Sequence, residues 1–287
     1  VEVPSSGSGI IVGQNDEELL IVTNNHVVED SKELTVTFID NSQVSAAIKG
    51  TDSETDLAVI AIPLKDIPSD TMSQIKVATL GDSDALKVGQ GVIAIGNALG
   101  YGTSVTVGYI SAKDREIDAE DSASVKLIQT DAAINGGNSG GALLNASGEV
   151  IGINVAKYSS SGSSSNASVE GMGFAIPISS VKDIISDLET KETRTKVSED
   201  ERGYLGISGF DVDEQTSQAY SIPQGIQVQS VVKGGPAENA GIAASDVITK
   251  LDGQDVSSMA SLQSMLEYYE KGEQVKVTIE YRDGREY

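Results

Sequence analysis

The sequence of 287 residues contains no cysteine and only one histidine. The lack of cysteine excludes disulfide bonds, thiolate zinc sites and cysteine nucleophiles, but it leaves the compartment open, because reducing and oxidising compartments both hold proteins without disulfides. No apolar run approaches the roughly 20 residues that cross a bilayer. The first residues, VEVPSSGSG, lack the charged and then apolar segments of a signal peptide. We therefore expect no targeting segment within this sequence.

Basic residues are scarce as well. Lys and Arg number 20 against 43 Asp and Glu, which gives a net charge of −23. A field of this sign repels phosphate backbones and anionic lipid headgroups, and so argues against nucleic acid as a partner and against direct membrane insertion. Hydrophobic residues make up 39% of the chain, as in ordinary globular proteins, and the length suggests two domains.

Short β-prone runs follow one another through the first two thirds of the chain. Clusters of Gly, Asn, Asp and Ser separate them, and no long helix intervenes. This spacing is typical of antiparallel barrels or a sandwich, so we predict a mostly β fold. The predicted strands are Ile10–Val12, Leu19–Thr23, Leu34–Ile39, Leu57–Ile62, Gly91–Ile95, Ser104–Ile110, Val125–Gln129 and Val150–Val155.

The pattern changes after residue 180. Val181 to about Leu188 has the apolar spacing of a helix, with a start signal at Ser180, and the polar run ETKETRTKVSEDER follows it. Strands at Tyr204–Ser208 and Ile226–Val232 and a helix at Ser257–Tyr269 then predict a small α+β domain. We predict a first domain over 1–190, a linker over 191–202 and a second domain over 203–287. A turn at Asp283-Gly284 predicts that the natural end of this domain lies beyond the sequence.

The single histidine, His26, lies in TNNHVV after an apolar run. An imidazole takes up and returns a proton near neutral pH, although a lone histidine is more often a packed or surface residue. Ser139 lies in INGGNSGG, where four glycines let successive N–H groups point into one concavity, as an oxyanion hole requires. The alternative is a glycine-rich turn whose serine only bonds the backbone.

Asp56 is the candidate carboxylate. It lies in TDSETDLAVIAI, directly before a strand that is apolar enough to be buried, so it can accept the imidazole Nδ1–H and stabilise the imidazolium. Asp52 and Glu54 are the alternatives, as solvated loop charges. His26, Asp56 and Ser139 occur in the chain order of the chymotrypsin-type triad, and together they predict a serine nucleophile.

Residues 7–190 resemble the HtrA/Deg (DegP-like) family of trypsin-like serine proteases. The resemblance implies a chymotrypsin-like double antiparallel β-barrel that needs no cofactor. It also implies that His26 is the general base, that Asp56 orients it and that Ser139 is the nucleophile. Gly137, Asn138 and Ser139 would form the oxyanion hole. The matching segments are GSGIIV, TNNHVV, TDLAVI, LGDSDALKVGQGVIAIGNALG, SVTVGYISA, IQTDAAINGGNSGGALLNASGEVIGIN and GMGFAIP.

The second domain resembles the C-terminal PDZ module of the same family. Its segment YLGI is similar to the loop that receives a peptide's terminal carboxylate, and GGPAENAGIAASDVITKLDG is similar to the middle of the module. A peptide strand would then bury an apolar side chain beside helix residues of the module, unless those residues only face the core. The residues concerned are Tyr204, Leu205, Gly206 and Ile207 in the loop and Leu262, Met265 and Leu266 in the helix.

The resemblance implies an ATP-independent serine endopeptidase that degrades unfolded or misfolded proteins in protein quality control. It implies an extracytoplasmic location, at the cell surface or in the periplasm, with a membrane anchor outside this sequence, and a homotrimer as the assembly. A peptide-binding chaperone with a dormant protease site is the alternative.

Cleavage specificity is predicted from residues near the site in the sequence. Ile134, Ile153 and Val155 are apolar, and no aspartate stands where a basic side chain would be bound. We therefore expect cleavage after small to medium aliphatic residues. No metal-binding pattern accompanies these residues.

Overall fold

The computed structural model describes residues 6–29, 31, 33–52, 55–97, 102–116, 126–156, 171–194 and 197–280. It divides into two compact units, residues 1–193 and 194–287. Strands dominate both units and the helices are few, which confirms the mostly β prediction. Within the described residues, no helix is both long enough and apolar enough to span a membrane.

The first half of unit one is an antiparallel sheet with the strand order β1-β2-β5-β4-β3. Its two central apolar strands are buried on both faces, because alternate side chains enter different cores. Leu19 and Ile21 join the cluster under β3 and β4, whereas Leu20 and Val22 face the second half of the unit. The elements are β1 (Ile10–Gln14), β2 (Glu18–Thr23), α1 (Asn25–Val28), β3 (Leu34–Thr37), β4 (Gln43–Asp52), β5 (Leu57–Pro63), a 3-10 helix (Leu64–Asp66) and α2 (Ser69–Met72).

The second half of unit one closes into a barrel with the strand order β10-β11-β8-β7-β6-β9. Because the barrel is closed, each of its strands is hydrogen-bonded to a neighbour on both sides. The first sheet is open, and among the described strands β1 and β3 are its edges. The outer edge of β1 is bonded instead by a loop, through the Ala78 N–H and the Ile11 carbonyl at 2.8 Å. The barrel strands are β6 (Gly91–Gly96), β7 (Ser104–Arg115), β8 (Leu127–Thr130), β9 (Ala142–Leu144), β10 (Val150–Asn154) and β11 (Gly173–Pro177).

Helix α3 (Ile178–Thr190) closes unit one and packs between the sheet and the barrel. Its buried residues recur with the predicted helical spacing, and each contributes roughly 1.5–3 kcal/mol by leaving water. They are Ile178, Val181, Ile185 and Leu188. The helix begins earlier than the sequence indicated. Pro177 occupies the N-cap, and the hydroxyl of Ser179 bonds the Ser83 N–H at 2.9 Å.

Over its described residues, 194 and 197–280, the second unit is a five-stranded sheet with three helices. Strand order is β12-β13-β14-β15, and β16 pairs with β14. The predicted linker is joined to this unit, since the Val197 N–H donates to the Glu267 carbonyl at 2.8 Å and the Glu201 carbonyl accepts the Lys271 N–H at 2.9 Å. The predicted turn at Asp283-Gly284 lies outside the described residues. The elements are β12 (Ile207–Val212), α4 (Glu214–Tyr220), β13 (Gly225–Val231), α5 (Pro236–Asn239), β14 (Val247–Leu251), β15 (Gln254–Asp255), α6 (Met259–Leu266) and β16 (Val277–Glu280).

Candidate active site

The pairing of β2 with β5 brings His26 and Asp56 together. Thr23 lies opposite Ala58 in this antiparallel pair, so the end of β2, which leads into α1, meets the start of β5. The His26 Nδ1 lies 2.8 Å from Oδ2 of Asp56, and Oδ1 accepts the His26 backbone N–H at 3.0 Å. The carboxylate side chain is 4% exposed and the imidazole 25%. This geometry places the proton on Nδ1 and leaves Nε2 as the basic nitrogen.

The backbone of Asp56 has a φ of 56°, in the left-handed region that non-glycine residues rarely adopt. Two hydrogen bonds hold it there: its carbonyl accepts the Asn25 N–H and the Asn24 Nδ2, each at 3.0 Å. Asn24 is fully buried. Asn24 is not among the predicted site residues, although a polar residue between two apolar runs is a usable signal, because such a group needs a bonding partner once it is buried.

Ser139 lies in the loop between β8 and β9, and the glycines after it permit close approach of the backbone to its neighbours. A Cβ at Gly140, whose φ is 81°, would overlap the Ser8 carbonyl and the Thr23 hydroxyl. A Cβ at Gly141 would overlap the Ile95 carbonyl. The loop is thus pressed against β2, the strand that leads to His26.

The residues before Ser139 form a turn closed by the Asn138 N–H and the Asn135 carbonyl at 3.0 Å. Gly137 is its third residue, with a φ of 91°, and a type II turn needs glycine there. Within the described part of the chain, the N–H groups of Gly137 and Ser139 donate no hydrogen bond. Of the three predicted oxyanion-hole residues, Asn138 thus uses its N–H within the turn, whereas Gly137 and Ser139 keep theirs available, and the oxyanion hole itself stays a prediction.

The Ser139 hydroxyl is engaged with backbone. The residue is 5% exposed, and its Oγ accepts the Ala156 N–H at 3.1 Å. Among the described residues, His26 makes no hydrogen bond to this oxygen. The two segments are nevertheless neighbours, since a Cβ at Gly7 would lie 3.2 Å from the Ser139 carbonyl oxygen and would overlap the side chain of Val27.

Buried polar atoms without a hydrogen-bond partner gather around these residues. They include Oδ1 of Asn24, Oγ1 of Thr55 and Oδ1 of Asn138, each next to or near a triad residue in the chain, and Oδ1 of Asn154. Buried polar groups are usually hydrogen-bonded, so this cluster sets these residues apart from the apolar cores around them.

The three predicted specificity residues lie in two different core clusters. Ile134 packs in the barrel core together with Ala156, the residue that bonds the Ser139 hydroxyl. Ile153 and Val155 are fully buried in the other cluster, between the sheet and the barrel. They lie two residues apart and share a face, opposite to Asn154 and Ala156. Both residues pack in that core, and the pocket role of all three residues stays a prediction.

In the second unit, the segment Tyr204–Ile207 leads into β12. Tyr204 is exposed, Leu205 is buried, and Gly206 has a φ of 74°. The carbonyls of Leu205 and Gly206 accept the N–H groups of Ala237 and Val232, at 3.0 and 2.8 Å, whereas their own N–H groups donate no hydrogen bond within the described part of the chain. Adjacent unused N–H groups form a concavity that suits an anion.

Helix α6 presents its apolar residues in two ways. Leu262 is 1% exposed and belongs to the core, so for this residue the core-facing alternative holds. Met265 and Leu266 are partly buried and pack against the same core. Their predicted contact with a peptide stays a prediction. Across both units, no group of three or more His, Cys, Asp or Glu side chains among the described residues could hold a metal ion.

Family models match both units. The model of the trypsin-like peptidase domain matches residues 7–153, and that of the PDZ domain matches residues 194–280. The chain is also similar to a solved structure described as the HtrA-type protease AlgW with decapeptide, with a TM-score of 0.54 and 32% identity over 98% of this chain and 80% of that one.

Curated relatives agree with these matches. The chain is 41% identical to "Serine protease Do-like HtrA" of Lactobacillus helveticus, covering 100% of this chain and 68% of the relative. It is 41% identical to the protein of the same name from Bacillus subtilis strain 168, covering 98% and 62%. For "Probable periplasmic serine endoprotease DegP-like" of Chlamydia trachomatis the identity is 41%, covering 97% and 52%. The chain thus spans about half to two thirds of these relatives. It belongs to the HtrA family of trypsin-like serine proteases that carry a PDZ domain.

Proposed function

We propose that this protein is a serine endopeptidase whose triad is His26, Asp56 and Ser139. The observation that carries the proposal is the hydrogen bond between His26 Nδ1 and the buried Asp56 carboxylate at 2.8 Å, which leaves Nε2 as the base. His26 takes the Ser139 hydroxyl proton as Oγ attacks the peptide carbonyl, and it returns that proton to the leaving amine. Water then hydrolyses the acyl-enzyme by the same route.

The N–H groups of Gly137 and Ser139 stabilise the oxyanion that forms at the attacked carbonyl. Such donors strengthen their bonds as charge develops in the transition state, and each is worth roughly 10²–10³-fold in rate. The Ser139 Oγ must first leave the Ala156 N–H by rotating about its Cα–Cβ bond. Substrate binding beside Ala156 is the step that we expect to drive this rotation.

We propose unfolded or misfolded proteins as substrates, cut after small to medium aliphatic residues beside Ile134 and Ala156. The free N–H groups of Leu205 and Gly206 support binding of peptide C-termini by the second unit. The similar solved protease AlgW is described with a decapeptide, which is consistent with this role. An extracytoplasmic location is supported by the word periplasmic in the name of the Chlamydia trachomatis relative.

A second candidate is a peptide-binding chaperone whose protease site is dormant. The observation that favours it is the bond from the Ala156 N–H to the Ser139 Oγ, together with the lack of a His26–Ser139 hydrogen bond in the described structure. In that case the nucleophile would stay bonded to the backbone while the second unit binds exposed segments.

Labelling with a fluorophosphonate and digestion of unfolded casein test the proposal. We expect wild-type protein to be labelled and to cut casein, whereas Ser139→Ala takes no label and loses at least about a thousandfold in rate. Ser147→Ala is the matched control, because this exposed serine lies in the turn after β9. Residual cleavage by Ser139→Ala above a few per cent would contradict the triad. An unlabelled wild type that still binds casein would favour the chaperone.

A further inference from the structure

Ser8 hydrogen-bonds to both the first sheet and the loop that carries Ser139. Its N–H donates to the Ser139 carbonyl at 2.7 Å, and its hydroxyl donates to the Gly137 carbonyl at 2.8 Å. The hydroxyl oxygen accepts the Asn97 N–H at 2.8 Å. The Ser8 carbonyl accepts the Thr23 hydroxyl at 2.7 Å, and Thr23 ends the strand that leads to His26.

The glycines on either side of Ser8 fix where its backbone lies. A Cβ at Gly7 would overlap the side chain of Val27, and a Cβ at Gly9 would overlap that of Ile21. The segment therefore fits closely against the sheet, with no room for a side chain at positions 7 and 9. This makes the hydroxyl of Ser8 a donor in a fixed place, since the Asn97 N–H also occupies one of its lone pairs.

The bond to the Gly137 carbonyl acts on the peptide that follows the first oxyanion donor. Gly136 and Gly137 have little intrinsic conformational preference, so rotation of the peptides around Gly137 is easy. Two hydrogen bonds oppose it, one from the Ser8 hydroxyl to the Gly137 carbonyl and one from the Asn138 N–H to the Asn135 carbonyl. Both restrain the same peptide, and only the first comes from outside the loop.

We infer that Ser8 is a positioning residue for the oxyanion hole. The inference rests on the proposed protease function and adds a residue to it: the Ser8 hydroxyl holds the Gly137 peptide so that the N–H groups of Gly137 and Ser139 converge on the substrate oxygen. Ser8 touches neither the substrate nor His26 in this role. Its effect is to keep the loop in its competent conformation before the oxyanion forms.

The test compares Ser8→Ala with wild type on a short peptide substrate. Loss of one hydrogen bond lets the loop leave the competent conformation, so we expect kcat to fall about 5- to 30-fold. We expect KM to change less than twofold, because ground-state binding does not use the oxyanion donors. Affinity for a peptide aldehyde, whose hemiacetal oxygen occupies the same position as the oxyanion, should fall in parallel with kcat. Ser6→Ala, an exposed serine in the same segment, is the matched control.

A variant of the same shape guards against a failure to fold. Ser8→Cys has the same branching and is only slightly larger, but it replaces the hydroxyl with a weak donor, so its kcat should fall in the same direction. Wild-type kcat and aldehyde affinity in a folded Ser8→Ala or Ser8→Cys would overturn the inference while the protease function stands. An equal loss in Ser6→Ala would overturn it too. An inactive wild type would instead refute the proposed function.

Discussion

At the residue scale, Asp56 combines a buried carboxylate with a backbone conformation that favours glycine. A left-handed non-glycine residue costs of order 1–3 kcal/mol, and persists where its surroundings determine it. Here the surroundings are Asn24 and Asn25, which bond its carbonyl from the side chain and from the backbone. These bonds hold the backbone from which the carboxylate projects toward His26, so we expect the placement of the carboxylate to depend on the amide of Asn24.

Asn24→Ala should therefore lower kcat by more than the accompanying loss of stability accounts for. We expect kcat on a short peptide to fall about tenfold and the free energy of unfolding to fall by about 1–3 kcal/mol, because the Asp56 carbonyl loses a buried partner. Asn25→Ala is the matched control, since the side chain of Asn25 bonds Glu29 at 2.9 Å and not Asp56. Kinetics and urea unfolding measure both effects. Equal losses of kcat in the two variants would refute the role of Asn24.

At the element scale, β2 and β4 share a buried ion pair. Lys49 on β4 is 6% exposed, and its Nζ lies 2.6 Å from Oε2 of Glu18 and 3.0 Å from the Thr193 hydroxyl. Burial raises the pKa of Glu18. The hydrogen bonds of its partners, that of Lys49 first, and the charge of Lys49 lower it by more than burial raises it, so the pKa lies below its ordinary value. The paired state thus contributes stability above the unfolded pKa, and that stability is lost as the pH falls through the folded pKa.

Glu18→Gln should destabilise the first unit by about 3 kcal/mol at pH 7, because it leaves Lys49 buried without a countercharge. The gap between the free energies of unfolding of the variant and wild type should narrow in acid, because the wild-type carboxylate is itself protonated there. Urea unfolding across the pH range measures the gap, and Glu17→Gln on the exposed neighbour is the control. A gap that stays constant down to the acid limit would show that the charge of Glu18 contributes nothing.

An element can be predicted from the sequence when the residues that determine it are close together in the chain, and not when it depends on residues far away in the chain. Leu19–Val22 and Leu57–Ile62 are apolar throughout and could be identified, because both faces of these strands are buried. The start of α3 at Ile178 and the assignment of Ile153 and Val155 to packing could not. They depend on Ser83 and on which face of β10 meets the sheet.

The same limit applies to the site. His26, Asp56 and Ser139 stand out by residue type, and Gly137 by the turn that it permits. Ser8 does not, because its hydroxyl bonds a carbonyl 129 positions away and no local pattern encodes that contact. The engagement of the Asn138 N–H was missed for a simpler reason, as the glycine run indicated a cluster of donors without showing which of them the turn itself uses.

At the scale of the whole molecule, the proposed chemistry and the proposed peptide binding fall in separate units. His26, Asp56, Ser139 and Ser8 belong to residues 1–193, and Tyr204–Ile207 belongs to residues 194–287. Binding at the second unit raises the local concentration of a long substrate at the first without changing the chemistry there. A short peptide that reaches only the protease site gains nothing from this.

A chain that ends at Thr193 should therefore keep kcat and KM for a short peptide and show a higher KM for a long unfolded protein. Gly206→Val in the full chain should do the same, because a side chain at a φ of 74° strains the loop at that position. Steady-state kinetics on both substrates measure the effect, with melting temperatures to establish that each variant is folded. Loss of kcat on the short peptide would contradict tethering and would indicate a coupling between the units.

The proposed site is divided between the two halves of unit one, so it can form only after both halves have folded. His26 and Asp56 come from the sheet and Ser139 from the barrel, and the hydrogen bonds of Ser8 that join them close loops of 89 and 129 residues. Contacts between such distant residues require loop closure before they stabilise the chain, so we expect them to form more slowly than local contacts. In the proposed function, a chain whose first unit is incomplete therefore has no working site. We expect proteolytic activity to appear only once both halves of unit one have folded.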